Sequence, residues 1–233
     1  MDLKQRVEPT SELADFGGSA QEVEATVEEF KAFYAKLGGL GQSTGALKRL
    51  TRKKADKEIS VLEVGCSGGY RLVQLERWLT RRKFKSTLAG IESNPLVAEL
   101  ARRRTSSLPE CRILVRDILD PKLRDMDPDI IIISYFVQKY SGDRLEALLS
   151  RLYAFAGLGL IINDFHRHPM AYRIVKLLTG LFTRSGQVKH EAPLAVARGF
   201  TKAELTAALD RASIKNYSLR WKWFFRWQVV VEK

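Results

Sequence analysis

The chain has 233 residues, 45% hydrophobic and 28% charged, as expected of a globular protein with a sizeable core and not of a disordered segment. No apolar run reaches the ~18 residues of a membrane-spanning helix. The N-terminus lacks the apolar core of a secretory signal, so we expect neither feature. Two cysteines, Cys66 and Cys111, make no disulfide framework and favour a cytoplasmic location.

The charge is strongly basic and unevenly spread. Thirty-nine Lys and Arg against 27 Asp and Glu give a net charge of +12, and residues 41–60 hold six bases against two acids. This balance favours an anionic partner, such as nucleic acid, phospholipid headgroups or an acidic small molecule. The alternative is that these side chains only solvate helix faces.

The N-terminal part is predicted to be an arm and a helical cap over residues 1–56. The first 20 residues form the arm. Apolar residues at three- and four-residue spacing predict a helix over 20–37. A glycine-rich breaker and a short basic helix around Ala46–Arg52 complete the cap.

From residue 57 to 233, apolar β-branched runs alternate with helical stretches at 69–83, 94–106 and 142–155. This order predicts an α/β domain with a mostly parallel sheet covered by helices on both faces. Asn94-Pro95 and Thr201–Glu204 are typical helix starts. The predicted strands are Ile59–Val64, Ser86–Ile91, Cys111–Val115, Asp129–Ser134, Leu158–Ile162, and two at the tail, Ser213–Leu219 and Phe225–Val231.

Three polar features follow three successive predicted strands. A glycine-rich turn, Gly65–Gly69, lets a ligand approach the backbone and the helix N–H groups that follow it. Glu92 ends the next strand, 23 residues after Gly69, at a spacing suited to a ribose diol. Asp117 follows the third strand. All three fall at strand carboxyl ends, where open α/β sheets bind ligands.

The stretch VLEVGCSGGY, at residues 61–70, resembles motif I of class I S-adenosylmethionine-dependent methyltransferases, and the later acids match that family's second and third motifs. The resemblance covers about residues 59–163. It implies a Rossmann-like fold with a seven-stranded sheet. It departs at Ser67, where the family has a glycine that is displaced here to Gly68.

The resemblance implies a cofactor, S-adenosyl-L-methionine, with S-adenosyl-L-homocysteine as its product. The turn would wrap the methionine end, with Glu63 supporting the turn or the amino group through water. Glu92 would bind the ribose hydroxyls and Asp117 the adenine amino group, with Ser134 near the methionine end. The implied cofactor residues are Glu63, Gly65, Cys66, Ser67, Gly69, Glu92, Ser93, Asp117, Ile118 and Ser134.

A narrower resemblance concerns the acceptor. RVEPTSELAD, NDFHRHPMAY and KHEAPLAVARGFTKAEL resemble a bacterial small-molecule subgroup of polyketide or quinone type. It implies O- or C-methylation of an aromatic, quinone-like or polyketide-derived acceptor. The alternatives are an RNA or protein methyltransferase that uses the basic surface, and a non-catalytic protein that keeps the cofactor fold. We expect no specific nucleic-acid partner and no metal site, and the sequence leaves the oligomeric state open.

Candidate catalytic residues follow the fifth predicted strand. In an extended segment, His166 and His168 would point the same way, and either could take a proton from a phenol or enol. Either could instead cap or position the next segment, and Asp164 could orient a histidine or act as a cap.

Residues 165–198 do not fit the alternation and are interpreted as a lid or insertion. Within them, 169–183 predict an amphipathic helix that closes over an apolar substrate, rests on an anionic membrane, or packs in the core. The tail interleaves Trp and basic residues like a single-strand stacking platform. Because Trp221, Trp223, Phe225 and Trp227 would share one strand face, we expect core or edge packing there.

Overall fold

The computed structural model of the protein describes residues 3–9, 18–36, 41, 43–52, 54–120, 123 and 126–233. Residues 10–17 of the predicted arm, Leu37, and part of the breaker at 38–45 lie outside the described residues. The described residues form eight α-helices and one seven-stranded sheet. No helix among them is both long enough and apolar enough to cross a membrane.

The strands are β1 (Glu58–Val64), β2 (Lys85–Glu92), β3 (Cys111–Val115), β4 (Ile130–Ser134), β5 (Gly159–Phe165), β6 (Tyr217–Lys222) and β7 (Arg226–Glu232). The helices are α1 (Ala20–Lys36), α2 (Thr44–Thr51), α3 (Tyr70–Thr80), α4 (Pro95–Thr105), α5 (Gly142–Phe155), α6 (Pro169–Phe182), α7 (Gly186–Ala197) and α8 (Lys202–Arg211). The sheet order is β3-β2-β1-β4-β5-β7-β6, with β1 to β5 parallel and β7 antiparallel between β5 and β6. The predicted mostly parallel, seven-stranded α/β sheet is confirmed.

Strand β4 explains why the sheet needs helices on both faces. Its four consecutive isoleucines are fully buried. Ile131 and Ile133 pack in one cluster with α5 and α8, while Ile130 and Ile132 pack in a second cluster with α2, α3 and α4. Since successive strand side chains point to opposite faces, an unbroken apolar run is what a doubly covered strand requires.

The predicted helix starts are confirmed in detail. The Asn94 side chain accepts hydrogen bonds from the Leu96 and Val97 N–H groups, with Pro95 at the first position of α4. Thr201 and Glu204 form a reciprocal capping box at the start of α8.

Three predicted strand boundaries differ from the observed ones. The tail strands begin later than predicted because Ser213 and Phe225 have positive φ, 59° and 48°, which extended strands exclude. Strand β5 instead runs past its predicted end at Ile162, through buried polar residues that neighbouring elements pair.

Helices α6 and α7 occupy the predicted insertion at 165–198, between β5 and α8. Helix α7, which contains Pro193, was not predicted. An aromatic and aliphatic cluster joins these helices to α1 through Phe33, Val175 and Val196. The described N-terminal residues pack here too, with Arg6 donating hydrogen bonds to the carbonyls of Arg198, Gln138 and Tyr140.

Candidate functional site

The carboxyl ends of β1 to β5 lie along one edge of the sheet. The chain runs outward from β1 to β2 and β3, then crosses to β4 and β5 on the other side of β1. The reversal of strand order between β1 and β4 is the place where open α/β sheets bind ligands.

The turn after β1 has the backbone of a tight ligand-binding loop. Gly65 and Gly69 have φ of +65° and +76°, and Ser67 has φ of +48°. Ser67 therefore adopts the left-handed conformation that favours glycine. Ser67, at the position where the family motif has a glycine, is thus itself in a left-handed backbone conformation.

Gly68 lies close to side chains of α1 and α4. A Cβ there would lie 2.5 Å from Arg104 Nη1 and 2.9 Å from Val27 Cγ1. Arg104 donates to the Gly68 carbonyl and to Glu28 of α1. The displaced glycine thus makes room for α1 and α4 to close over the turn.

Glu92 is held between the turn and the start of α4. Its Oε2 accepts a hydrogen bond from the Ser67 N–H and its Oε1 accepts one from the Asn94 N–H, both at 3.1 Å. An ionised carboxylate can accept about four hydrogen bonds, so Glu92 retains capacity for further donors. The predicted proximity of Glu92 to the turn is observed.

Glu63 is buried under the turn. It forms an ion pair with Arg71 of α3, with 2.6 Å between Oε1 and Nε. Burial raises the pKa of the Glu63 carboxyl to about 7, against the opposing effect of Arg71. Glu63 Oε2 and Arg71 Nη1 are both buried and have no hydrogen-bond partner in the described part of the chain. This pair offers an acceptor and a donor beside the turn.

The other predicted cofactor residues are distributed along the same edge. Asp117 is exposed, and its Oδ1 accepts a hydrogen bond from the Leu119 N–H at 2.7 Å. Ser93 is exposed, whereas Ile118 is buried in the main core. Cys66 packs its side chain in the second core cluster, so only its backbone belongs to the turn.

Buried polar side chains are hydrogen-bonded to one another at the carboxyl ends of β4 and β5. The Asn163 amide donates to the hydroxyls of Ser134 and Ser43, each at 3.1 Å. Its Oδ1 accepts a hydrogen bond from Gln228 of β7 at 2.9 Å. Ser134 is therefore fixed at the edge next to the turn.

Asp164 is fully engaged with the backbone. Its carboxylate accepts hydrogen bonds from the Gln138 and Phe165 N–H groups, at 3.0 and 2.8 Å. Burial raises its pKa to about 7. No hydrogen bond in the described ranges joins Asp164 to His166 or His168. The hydrogen bond from the Gln138 N–H ties β5 to the short 3-10 turn Val137–Lys139.

The two histidines point the same way, as predicted for an extended segment, with 5.7 Å between ring centroids. His168 caps α6, because its Nδ1 accepts a hydrogen bond from the Met170 N–H at 3.2 Å. His166 instead has a buried Nδ1 with no hydrogen-bond partner among the residues described. Burial lowers the pKa of His166, with His168 and Arg167 acting in the same direction.

Aromatic rings surround this end of the site. Tyr135 follows β4 with φ of +56° and stacks on Tyr34 of α1, 4.7 Å between centroids. Its ring also lies 4.9 Å from Phe165, and its hydroxyl accepts a hydrogen bond from the buried Arg226. On the other side, His166 lies 5.0 Å from the Trp227 ring.

The predicted site residues do not include Tyr34, Tyr135 or Lys139. Lys139 is half-buried near the same edge. Burial lowers the pKa of its ammonium group while Glu92 and Glu191 act to raise it. The sequence offers one signal for Tyr135 and Lys139: both belong to the SYFVQKY stretch at the end of β4, and residues at a strand's carboxyl end reach the edge where such sheets bind ligands.

Three solved structures that share this fold are methyltransferases. The plantazolicin methyltransferase BpumL in complex with SAH has a TM-score of 0.66 and 13% identity, covering 91% of this chain and 90% of its own. Magnesium protoporphyrin IX methyltransferase (ChlM) from Synechocystis PCC 6803 with bound SAH has a TM-score of 0.55 and 14% identity, covering 89% and 94%. The CMeT domain of the citrinin polyketide synthase has a TM-score of 0.63 and 14% identity, covering 83% of this chain and 52% of that chain.

Neither a protein-family model nor a curated protein matches the sequence. The structural likeness nevertheless extends over most of the chain in each case. The chain therefore has the Rossmann-like fold of S-adenosylmethionine-dependent methyltransferases.

Proposed function

We propose that this protein is an S-adenosylmethionine-dependent methyltransferase that acts on a small organic acceptor. The observation that carries the proposal is the clamp between Glu92 and the left-handed turn at Ser67, located where the strand order reverses. The neighbours' names mention plantazolicin, magnesium protoporphyrin IX and a polyketide synthase, in line with such an acceptor.

The residues along this edge fit the cofactor's chemistry. Glu92 has spare acceptor capacity for ribose hydroxyls, and the buried Glu63 Oε2 is an unused acceptor suited to an ammonium group. Asp117, exposed two residues beyond β3, would accept from the adenine amino group. The left-handed turn between them would receive the methionine end.

When bound, S-adenosylmethionine supplies a methyl group on a positively charged sulfur. The chain's own residues would align the acceptor and exclude water from it. The stacked pair of Tyr34 and Tyr135, together with Phe165, offers flat apolar surfaces beside the end of β4. Such surfaces suit an aromatic or quinone-like acceptor methylated on oxygen or carbon.

His166 is the best candidate for a general base. Its Nδ1 is unpartnered within the described structure and would accept the proton of a phenol or enol acceptor. Its lowered pKa keeps the imidazole neutral at neutral pH, which is the form that accepts a proton. In His168, Nδ1 is already occupied by the α6 cap.

Two measurements test the proposal. Calorimetry should show S-adenosylmethionine binding to the wild type, with much weaker binding to Glu92→Ala and unchanged binding to the exposed control Glu99→Ala on α4. Purified protein should then transfer a labelled methyl group to the small-molecule fraction of a cell extract. Transfer only to RNA or protein would contradict the acceptor class, and cofactor binding without any transfer would favour a non-catalytic protein.

A further inference from the structure

Exposed large apolar side chains gather in two segments of the described chain. Eight such residues are exposed by more than a third, and six of them belong to α6 or to the hairpin formed by β6 and β7. These six are Met170, Leu177, Leu181, Phe182, Trp221 and Trp223.

Helix α6 is apolar on its solvent side as well as on its buried side. Ala171, Val175 and Thr179 are fully buried against α1 and α7. Met170, Leu177 and Leu181, with relative exposures of 55, 61 and 68%, recur at seven- and four-residue spacing and so form a row on the opposite side. A helix that packs on one side and faces solvent on the other has polar residues on its solvent side. The exposed apolar row on α6 therefore needs another explanation.

The tip of the β6–β7 hairpin lies beside the start of α6, so its exposed side chains and the α6 row form one surface. Phe225 stacks on His168, the cap of α6, with 4.8 Å between centroids. Trp221 lies edge-on to Phe225 at 6.3 Å, and Trp223 lies 5.6 Å from Phe224. The exposed tryptophans therefore lie next to the start of α6.

Basic residues adjoin these side chains in the sequence, and acids are absent from both segments. Arg173 and Lys176 flank the row on α6, and Arg220 and Lys222 flank the tryptophans. The sequence holds no Asp or Glu between Phe165 and His190, or between Arg211 and Val231. We name the six apolar residues and these four cations the basic apolar surface.

We propose that the basic apolar surface docks on an anionic lipid bilayer. Apolar helix faces bordered by Lys and Arg bury in the headgroup region, where long cationic side chains reach the lipid phosphates. Tryptophan favours the same interfacial depth. A second copy of the chain is a poorer occupant, because a two-fold contact through this surface would bring its four cations against the same four.

Docking here is independent of methyl transfer, so vesicle binding and catalysis can fail separately. The probe is sedimentation with sucrose-loaded vesicles of phosphatidylcholine mixed with an equal amount of phosphatidylglycerol, compared with pure phosphatidylcholine. The wild type should sediment with the anionic vesicles only, and higher salt should release it because ions screen the attraction.

Matched variants locate the contact. The double variant Arg173→Gln/Lys176→Gln should lower partitioning about 25-fold, since each cation near an anionic surface contributes about fivefold, or about 1 kcal/mol. The double variant Arg77→Gln/Arg81→Gln removes the same charge from exposed positions in the last turn and at the C-cap of α3, and its partitioning should equal that of the wild type. Leu177→Glu/Leu181→Glu should lower partitioning at least about tenfold, whereas Leu96→Glu on α4 should lower it far less.

Thermal unfolding of each variant verifies that it is folded, as expected for exposed positions. Equal sedimentation of the wild type and both α6 variants with anionic vesicles would overturn the proposal. So would a wild type that does not sediment but forms a dimer in solution which Leu177→Glu/Leu181→Glu dissociates, because the occupant would then be a second copy.

Discussion

The Glu92 carboxylate accepts a hydrogen bond from the backbone N–H of Ser67 across 3.1 Å, linking the end of β2 to the turn after β1. The link joins a side chain suited to ribose hydroxyls and a backbone suited to close approach of a ligand. The two lie side by side because β1 and β2 are paired in parallel, with Val64 opposite Ile91.

Removal of the Glu92 carboxylate should weaken cofactor binding. Glu92→Ala loses a charged acceptor, which is worth roughly 1.5–3 kcal/mol, or about 10- to 150-fold in affinity. Calorimetric titration with S-adenosylmethionine measures this directly. An affinity equal to that of the wild type would show that Glu92 does not contact the cofactor.

Gly65 should tolerate no side chain. An added Cβ would lie 2.6 Å from Phe136 Cδ2 in a backbone with φ of +65°. Gly65→Val should therefore abolish measurable cofactor binding. Gly180→Ala, in open space on α6, is the matched control and should raise helix stability slightly. Normal binding by Gly65→Val would place the ligand elsewhere.

Ser67→Gly should stabilise the protein while preserving cofactor affinity. Ser67 has φ of +48°, a conformation that costs an L-residue about 1–2 kcal/mol. This strain exceeds the cost of the additional conformational entropy that glycine loses on folding, about 0.5–1 kcal/mol. Ser106→Gly is the opposing control, because Ser106 has φ of −59° and glycine should destabilise there by about 0.5–1 kcal/mol. Chemical denaturation gives both free energies of unfolding, and a loss of stability in Ser67→Gly would contradict the assigned strain.

The two histidines should separate into a rate effect and a stability effect. His166→Gln should lower turnover about 10²–10⁴-fold on a phenol or enol acceptor, with cofactor affinity unchanged. His168→Ala should lower the free energy of unfolding by about 1 kcal/mol through loss of the α6 cap. Full turnover in His166→Gln would mean that alignment alone drives the reaction.

The pH profile gives an independent check on His166. Because burial lowers its pKa, the neutral base persists below the ordinary histidine range. We expect kcat/KM to fall on the acid side of about pH 6.5 and this limb to disappear in the residual activity of His166→Gln.

Asp164 should make stability fall as the pH rises. Its pKa is raised to about 7 in the folded state, so between about pH 4 and about pH 7 the folded protein binds a proton that the unfolded chain has released. The stabilising contribution is therefore complete at low pH and lost by neutral pH. The difference in free energy of unfolding between the wild type and Asp164→Asn isolates this contribution, since His166 titrates in both. A difference that does not change across this range would contradict the raised pKa.

The residue pattern alone predicts the sheet and the edge at which its polar features meet. The isoleucine run of β4 has no polar position, so only burial on both faces accommodates it. The glycine turn, Glu92 and Asp117 each follow a strand, and parallel strands bring their carboxyl ends to one edge whatever the details of packing.

Features that depend on contacts between distant residues became visible in the folded chain and not in the residue pattern. The fold separates His166 from the α6 cap His168, and it brings Tyr34 of α1 onto Tyr135, 101 residues later. It also overturned the expected packing of Trp221 and Trp223, which are exposed by 51 and 63%. Period-two spacing predicted one shared strand face, but β6 ends at Lys222 and the chain turns through Phe224 and Phe225, both with positive φ. Local periodicity predicts which side chains share a face. Whether that face meets the core or the solvent depends on the rest of the chain.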